Sequence, residues 1–231
     1  MKLLKCCGRT LELGVSRELS SYGPFLAVTA VCSLRWCGRE PEGFDSIIES
    51  VTSKLGSSDL REHPLIKPYR KFMWRIGIDP TKVRPSHEAL LRRLLFRREF
   101  PRINTVVDAG NLASIEAMIP IGLYNMELLK PPLLLRRARS GEVFEPIGGK
   151  LRKLQGNEIV LSDAEKILHI FPYRDSQKTM IVEGIRDVLV VAAGVPGVPE
   201  EDVVKAAVLA RKYIARSACG EECGDVQLVT S

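Results

Sequence analysis

Two apolar segments, far apart in the chain, set the strongest limit on how this sequence folds. Residues 25–31 and 188–193 are almost continuously apolar, have the length of a β-strand, and are bordered by glycine and proline. Such runs between turn residues predict buried strands. Neither approaches the roughly 18 apolar residues that a membrane-spanning helix requires. We therefore expect a chain that folds around a sheet, in the cytoplasm and without a membrane partner.

The other elements mix helical and strand patterns without a regular order. Helices are predicted at 45–55, 65–76 and 86–97 and again after Pro199, and further strands at 133–136, 158–161 and 166–171. Strict alternation, the mark of a doubly wound parallel sheet, is missing. The sequence therefore predicts a mixed α/β (α+β) fold with a central sheet flanked by helices. At 231 residues, such a fold can bury a sufficient core without disulfides or metals.

Positive charge is concentrated in one part of the chain. Between Arg61 and Arg102 there are 12 Lys and Arg residues against four Asp and Glu, a net charge of +8, whereas the whole chain carries +6. Clustered basic side chains are typical of proteins that bind phosphate-rich partners, because each neutralised phosphate releases counterions. A well-solvated basic surface has the same composition, so charge alone leaves both interpretations open.

The helix predicted at 86–97 carries part of this charge. Ser86 is predicted to cap its N-terminus, and Glu88 falls in the first turn, where a carboxylate complements the helix dipole. Leucines share one face, and arginines lie on the other sides. These arginines either contact RNA phosphates or are merely solvated. The candidate tRNA-binding residues are Arg84, Arg92, Arg93 and Arg97.

A second helical segment has polar side chains at helical spacing. Asn104, Asp108 and Asn111 follow one another at steps of four and three, so a helix places them on one face. The opposite face is small and apolar and suits close packing on a sheet. Buried amides and carboxylates need hydrogen-bond partners. The polar stripe therefore either holds neighbouring loops or lines a ligand pocket, and the residues alone leave both possible.

Several familiar catalytic and metal-binding patterns are missing from the sequence. There is no P-loop, GxGxxG, GxSxG or HExxH motif, and His63, His87 and His169 are scattered. The six cysteines form no CxxC pair, so we expect no metal and no cofactor. Free, partly buried thiols are expected, with a disulfide between Cys219 and Cys223, or between the chain ends, as the alternative.

A series of short motifs, in order, resembles a known tRNA-editing module. The motifs are Gly77-x-x-Pro80, Arg84-Pro85-Ser86-x-Glu88-Ala89-Leu90, Pro101-x-Ile103-Asn104-x-Val106-Val107-Asp108-x-x-Asn111, Pro120-Ile121-Gly122 and Arg136-x-Ala138-x-x-Gly141-Glu142. Together they resemble the B3/B4 domain of the phenylalanyl-tRNA synthetase beta subunit, and especially its stand-alone relatives. The resemblance implies a lead-in at 1–60 packed on the core, a B3/B4-like core at 60–195, and a C-terminal amphipathic helix and tail at 196–231.

The resemblance also implies an activity and a site. In the synthetase family this module hydrolyses tyrosine wrongly esterified to the phenylalanine tRNA, so a pocket for an aminoacyl group is expected. The implied pocket wall includes the polar stripe, which makes Asn104, Asp108 and Asn111 the candidate catalytic residues. The candidate substrate-binding residues are Ser114, Gly122, Glu142 and Asp175.

One position departs from the family pattern. Where the synthetase module has Gln-Pro-Leu-His, this chain has Ile119-Pro120-Ile121-Gly122, so a glycine stands where the family has its editing-site histidine. The tyrosine specificity of the family therefore does not carry over. Asp175 is the nearest candidate for the acidic residue that the family has in a later glycine-rich loop.

Three functions are compatible with these observations. The first is a trans-editing deacylase that acts on aminoacylated tRNA, in which a positioned water attacks the ester, Asn104 or Asn111 stabilises the oxyanion, and Asp108 orients the water or holds the α-amino group. The second is a non-catalytic tRNA- or RNA-binding module of the same fold, which Gly122 favours. The third is a small-molecule amino-acid binding or hydrolytic protein that uses the pocket without RNA. The ordered motifs and the basic segment make the first our hypothesis.

Overall fold

The computed structural model describes residues 1–56 and 59–231 as a mixed α/β chain, which confirms the predicted fold class. The helices are α1 (Phe44–Leu55), α2 (Lys67–Arg75), α3 (Ser86–Arg97), α4 (Thr105–Ala117) and α5 (Glu200–Ser217). The strands are β1 (Lys2–Cys6), β2 (Arg9–Val15), β3 (Phe25–Cys32), β4 (Ile121–Asn125), β5 (Leu133–Arg137), β6 (Val143–Phe144), β7 (Arg152–Lys153), β8 (Ile159–Ser162), β9 (Ile167–Ile170), β10 (Arg174–Asp175), β11 (Val188–Gly194) and β12 (Glu221–Val229).

The strands of the described residues form two main sheets. The six-stranded sheet has the order β1-β2-β5-β8-β9-β10, with β2 parallel to β5 and the other neighbours antiparallel. The four-stranded sheet has the order β12-β3-β11-β4 and is antiparallel throughout. Strands β6 and β7 form a separate short ribbon. Strand β4 is therefore at the edge of the four-stranded sheet, and this edge holds the candidate site.

Strands β3 and β11 are buried along their whole length because both faces of the four-stranded sheet are covered. On β11, Leu189 and Val191 pack in a core shared with the six-stranded sheet. The alternate residues, Val188 and Val190, pack in a second core formed with α1, α3, α4 and α5. Successive side chains of a strand point to opposite faces, so a strand covered on both faces is apolar at nearly every position, and Thr29 is the one polar residue in these two strands. The two buried strands predicted from the sequence are confirmed.

The predicted helices form, with one difference in α3. Leu91 and Leu94 are buried as the leucine stripe predicts. Ser86 does not cap the helix, however, because it is already the first helical residue, and Pro85 takes the capping position. Glu88 lies in the first turn as predicted, and its side chain is completely buried. In the described residues, no helix is long and apolar enough to cross a membrane.

Four of the six cysteines are paired, so the prediction of free thiols was wrong for those four. Disulfides join Cys7 to Cys32 and Cys37 to Cys219. The alternative bridge between Cys219 and Cys223 does not form, because β12 carries Cys223 along β3 to a position opposite Ala30. Cys6 and Cys223 are free thiols.

Candidate functional site

A pocket of about 150 Å³ lies between α4 and the edge strand β4. Val107 and Asn111 of α4 form one wall, and Ile121 and Leu123 of β4 form the other. Asp175, the last residue of the short strand β10, also lines the pocket. The pocket therefore has mainly apolar walls with one amide and one carboxylate.

A glycine in α4 allows the helix to lie close to the strand. A Cβ atom at Gly110 would be 2.6 Å from Cδ1 of Leu123. Gly110 itself lines the pocket. Any larger residue here would push α4 away from β4 or displace Leu123, so Gly110 helps to set the width of the pocket.

The rim of the pocket is apolar and exposed. Ile103 is 65% exposed, Ile147 41% and Met180 39%, and all three line the pocket. Clustered apolar groups that stay in water are a feature of binding sites, because a ligand that covers them removes apolar surface from water. The rim is suited to an apolar or aromatic group.

Asp175 belongs to a buried polar cluster that joins the two sheets. The hydroxyl of Tyr124 on β4 donates to Oδ1 of Asp175 at 3.2 Å and also contacts Nδ1 of His169 on β9. A tyrosine hydroxyl carries one proton, so it donates to one neighbour at a time. The protonation of Asp175 and the hydrogen bond to His169 are therefore linked.

Burial changes the acidity of the groups in this cluster. It raises the pKa of Asp175 to about 7, an effect that the hydrogen bond from Tyr124 partly opposes. Burial lowers the pKa of His169 to about 3, so the imidazole is neutral at physiological pH. Burial also raises the pKa of Tyr124, which stays protonated. Near neutral pH, Asp175 is thus the group of the cluster that exchanges a proton.

The Tyr124 hydroxyl occupies the space beside Gly122. A Cβ atom at position 122 would be 2.1 Å from the hydroxyl oxygen and 2.8 Å from Cζ of Tyr124. The two residues lie on the same face of β4, since side chains two apart in a strand point the same way. A histidine at position 122 would not fit with Tyr124 in this position. The polar group next to residue 122 is here supplied by Tyr124.

The structure brings three of the predicted site residues together. Asn111 and Asp175 line the pocket between α4 and β4. Gly122 and Asp175 line an adjoining small cavity of about 20 Å³, together with Tyr124 and His169. Asp175 is shared by both spaces, so it connects the pocket to the buried cluster.

The other two members of the polar stripe, Asn104 and Asp108, and the candidate residue Ser114 fix the ends of α4. Asn104 is the N-cap: its Oδ1 accepts from the Val107 amide at 3.0 Å. Asp108 is buried, which raises its pKa, and accepts from the Ile103 amide at 2.8 Å. Ser114 donates from Oγ to the Ile119 carbonyl at 2.7 Å. The predicted single polar face is therefore divided between helix capping and the pocket.

Glu142 is in an ion pair of its own. It contacts Arg136 at 2.6 Å and accepts from the Arg139 amide at 2.8 Å. The hydrogen bond from Arg136 lowers the pKa of Glu142. Glu142 is not among the residues that line the pocket between α4 and β4.

The predicted tRNA-binding arginines lie around a buried carboxylate and on the outer face of α3. Arg92 contacts Glu88 at 2.9 Å and Arg84 contacts it at 4.0 Å, while Arg70 from α2 adds a third contact at 2.9 Å. Arg93 pairs with Glu99, whereas Arg97 is exposed and has no ion pair in the described part of the chain. Three guanidinium groups sharing one carboxylate leave excess positive charge in a cleft of about 430 Å³.

Tyr124 and His169 were not predicted as site residues. They lie on strands of different sheets and are 45 residues apart, so no local spacing connects them. The sequence held one weak signal: Tyr124 lies two residues after Gly122, on the same side of a strand.

The fold and the pocket define a mixed α/β domain with a ligand pocket at the edge of a sheet, and comparison with known proteins assigns this domain to a family. The model of the B3/4 domain matches residues 68–216. The chain belongs to the B3/4 domain family, which confirms the resemblance inferred from the motifs.

The relatives of this chain include phenylalanine–tRNA ligase beta subunits. That of Neisseria meningitidis serogroup B is 25% identical over 123 residues, 53% of this chain and 16% of the relative. That of Carboxydothermus hydrogenoformans is 30% identical over 119 residues, which are 51% of this chain and 15% of the relative. That of Fusobacterium nucleatum is 27% identical over 188 residues, which are 79% of this chain and 21% of the relative. The chain spans about a fifth or less of these relatives.

A solved structure has the same fold. It is an N-terminal fragment of the phenylalanyl-tRNA synthetase beta subunit from Pyrococcus horikoshii, with a TM-score of 0.50 and 16% sequence identity. The match covers 92% of this chain and 50% of that fragment. It therefore includes strands that precede residue 68, where the family match begins.

Proposed function

We propose that this protein hydrolyses the ester bond of a mischarged aminoacyl-tRNA with a water molecule positioned beside Asp175. The observation that carries this proposal is the pocket between α4 and β4, which combines apolar walls with a carboxylate whose pKa burial raises to about 7. The relatives are ligases that act with tRNA, and this supports tRNA as the partner.

The pocket suits the aminoacyl part of such a substrate. Its apolar walls and exposed rim would hold the amino-acid side chain, since burying that side chain removes apolar surface of both partners from water. Asn111 is the amide on the pocket wall, and its NH₂ group would donate to the ester carbonyl oxygen as negative charge develops there.

Asp175 would act as the base. In its ionised form it accepts a proton from the attacking water, and the water oxygen bonds to the ester carbonyl carbon. When the tetrahedral intermediate collapses, the ribose oxygen leaves and takes a proton from Asp175, giving a free amino acid and a tRNA with a free hydroxyl. A carboxyl pKa near the working pH is favourable for both transfers.

Tyr124 and His169 would position this base. The Tyr124 hydroxyl donates to Oδ1 of Asp175, which fixes the carboxylate and leaves Oδ2 for water. Neutral His169 contacts the other side of the hydroxyl and holds the tyrosine in place. In this proposal Asn104 acts by capping α4, and so by holding Asn111 at the pocket.

The arginines that line the cleft of about 430 Å³ beside α3 would bind RNA phosphates. Arg70, Arg84 and Arg92 share the single charge of Glu88, so they retain positive charge for an anionic partner. Arg97 adds an exposed charge on the same helix. Such contacts position the nucleic acid but carry little sequence information.

A panel of mischarged tRNAs tests this proposal. Purified protein is incubated with each member, and the release of amino acid is compared with the spontaneous rate and with the same amino acids as simple esters. We expect accelerated hydrolysis of at least one aminoacyl-tRNA and little acceleration of its simple ester. Salt-sensitive tRNA binding without hydrolysis of any member would contradict the proposal and support a binding module, and equal hydrolysis of simple esters would support a small-molecule enzyme.

A further inference from the structure

Three sulfur atoms converge at a place remote in sequence from the candidate site. The Sγ atoms of Cys7, Cys32 and Cys223 all lie within 4.8 Å of one another. Cys7 follows β1, Cys32 ends β3 and Cys223 lies in β12, so three separate segments supply them. Cys7 and Cys32 form a disulfide, and Cys223 is a free thiol beside it.

The backbone at two of these cysteines has special conformations. Cys7 and Gly8 form the two-residue turn between β1 and β2, and Cys7 has a φ of 54°. This left-handed region is unfavourable for a residue with a side chain other than Asn or Asp. Cys223 stands where the pairing of β12 with β3 shifts register, and such bulges redirect side chains. Both features occur at cysteines whose sulfur atoms lie within 4.8 Å of each other.

A fourth cysteine lies next to this group. Cys6 is buried, and its Sγ contacts the Cys223 carbonyl at 3.4 Å. The Sγ of Cys223 contacts the Lys5 carbonyl at 3.9 Å. These contacts hold Cys223 against the end of β1, so its sulfur stays close to the disulfide.

We propose that Cys7, Cys32 and Cys223 form a binding site for a soft divalent metal ion of the zinc type when the Cys7–Cys32 disulfide is reduced. A dithiol reductant would supply two electrons and two protons to the disulfide and would itself become a disulfide. The metal ion would then bind three thiolates and release three protons. The fourth coordination position is left for water.

The spacing of the sulfur atoms suits this chemistry. Zinc–sulfur bonds are about 2.3 Å long, so neighbouring sulfurs of a tetrahedral site are roughly 3.8 Å apart. The three Sγ atoms lie within 4.8 Å of one another. Once the Cys7–Cys32 bond is reduced, small side-chain rotations would bring all three to that separation. Thiolates are also the ligands that select soft metal ions over Mg²⁺ or Ca²⁺.

The site would connect the two sheets in either redox state. The β1–β2 hairpin belongs to the six-stranded sheet, and β3 and β12 belong to the four-stranded sheet. The disulfide joins the hairpin to β3 in the oxidised protein. A metal ion would join the hairpin to β3 and β12 in the reduced protein, so the link would survive reduction.

Cobalt titration of the full chain tests this proposal. The protein is reduced, separated from reductant without oxygen, and titrated with Co²⁺, whose thiolate complexes absorb strongly in the near ultraviolet. We expect one Co²⁺ per reduced chain, displacement by Zn²⁺, and no binding to the oxidised chain. Cys223→Ser should weaken binding by more than roughly tenfold, since even outer-shell partners of a metal contribute 10–100-fold.

A matched variant separates this site from the other cysteines. Cys37→Ser with Cys219→Ser removes the second disulfide and leaves the three sulfurs intact, so it should bind Co²⁺ as the wild type does. Circular dichroism checks that each variant is folded. The proposal is overturned if the reduced, folded wild type takes up no Co²⁺, or if Cys223→Ser binds it with unchanged affinity.

Discussion

At the scale of single residues, Tyr124 and Gly122 depend on each other. The tyrosine side chain lies over the glycine, and its hydroxyl contacts both His169 and Asp175. The family histidine that the motif comparison expects at position 122 has no room in this arrangement. The position of the Tyr124 side chain therefore requires a residue without a side chain at position 122.

Gly122→Ala should destabilise the protein through Tyr124. The added Cβ would be 2.1 Å from the tyrosine oxygen, so Tyr124 must move and its buried hydrogen bonds must change. We expect the free energy of unfolding in urea to fall by about 1–3 kcal/mol. Tyr124→Phe, which removes the hydroxyl, completes a double-mutant cycle. It should lower the free energy of unfolding by less in the Gly122→Ala protein than in the wild type. An alanine variant as stable as the wild type would show that the two residues are not in contact.

The sequence located part of the site. Helical spacing and the family resemblance both indicated Asn111, the resemblance alone indicated Asp175, and both residues line the pocket. Helical spacing put Asn104 and Asp108 on the same face as Asn111, but spacing does not show which atoms are already bonded. Asn104 caps the helix, and Asp108 accepts a hydrogen bond from the Ile103 amide, because the first amides of a helix have no partner within the helix and bind side-chain oxygens instead.

At the scale of elements, α4 has two roles that share one surface. Its N-terminal end is fixed by Asn104, and its middle forms the pocket wall. The position of Asn111 therefore depends on a cap seven residues earlier in the chain. Helix capping and the lining of a pocket, which were alternatives from the sequence, are both found in the same helix.

Asn104→Ala should weaken α4, and Asn104→Asp should not. The aspartate can still accept from the Val107 amide, whereas alanine leaves that group without its partner. We expect the alanine variant to lose about 1 kcal/mol of unfolding free energy and the aspartate variant to stay close to the wild type. Thermal unfolding followed by circular dichroism measures both. Equal losses in the two variants would mean that the contact of the Asn104 amide with Ile181 matters more than the cap.

Helix α3 offers a test that separates RNA binding from folding. Arg97 is exposed and has no ion pair in residues 1–56 and 59–231, whereas Arg92 pairs with the buried Glu88. Arg97→Ala should lower tRNA affinity, reduce the slope of log affinity against log salt by about 1, and change stability by less than about 0.5 kcal/mol. Arg92→Ala should also lower stability, by about 1–3 kcal/mol, because a buried carboxylate loses a partner. A salt slope that stays the same in Arg97→Ala would remove this arginine from the proposed interface.

At the scale of the whole molecule, long-range pairing determines what the sequence could not show. Periodicity and turn residues predicted the helices and the strands β3, β5, β8, β9 and β11, since those signals are local, but they did not predict β1, β2, β4 or β12. The sheet order was not predictable, because β3 pairs with β11 and β12, which follow it by more than 150 residues. Tyr124 lies on the edge strand β4 of one sheet, and His169 lies on β9, an inner strand of the other, so the two residues meet only because the two sheets pack together.

The disulfide between Cys37 and Cys219 links distant parts of this architecture. It joins residues 182 positions apart, so it restricts the unfolded chain strongly. Replacing both cysteines with serine should lower the free energy of unfolding by about 2–5 kcal/mol, measured in urea without reductant. The same variant and the wild type should have equal stability after full reduction. A variant as stable as the oxidised wild type would contradict this role for the bridge.

The pH dependence of deacylation tests the central claim most directly. With the best substrate of the tRNA panel, the single-turnover rate of the wild type should rise as the pH increases through about 7, because ionised Asp175 is the base and burial raises its pKa to that value. Asp175→Asn should bind the same tRNA but react roughly 100-fold or more slowly, without this rise. A wild-type rate equal to spontaneous hydrolysis, or an asparagine variant with the wild-type rate and profile, would contradict the assignment of this pocket as a deacylase site.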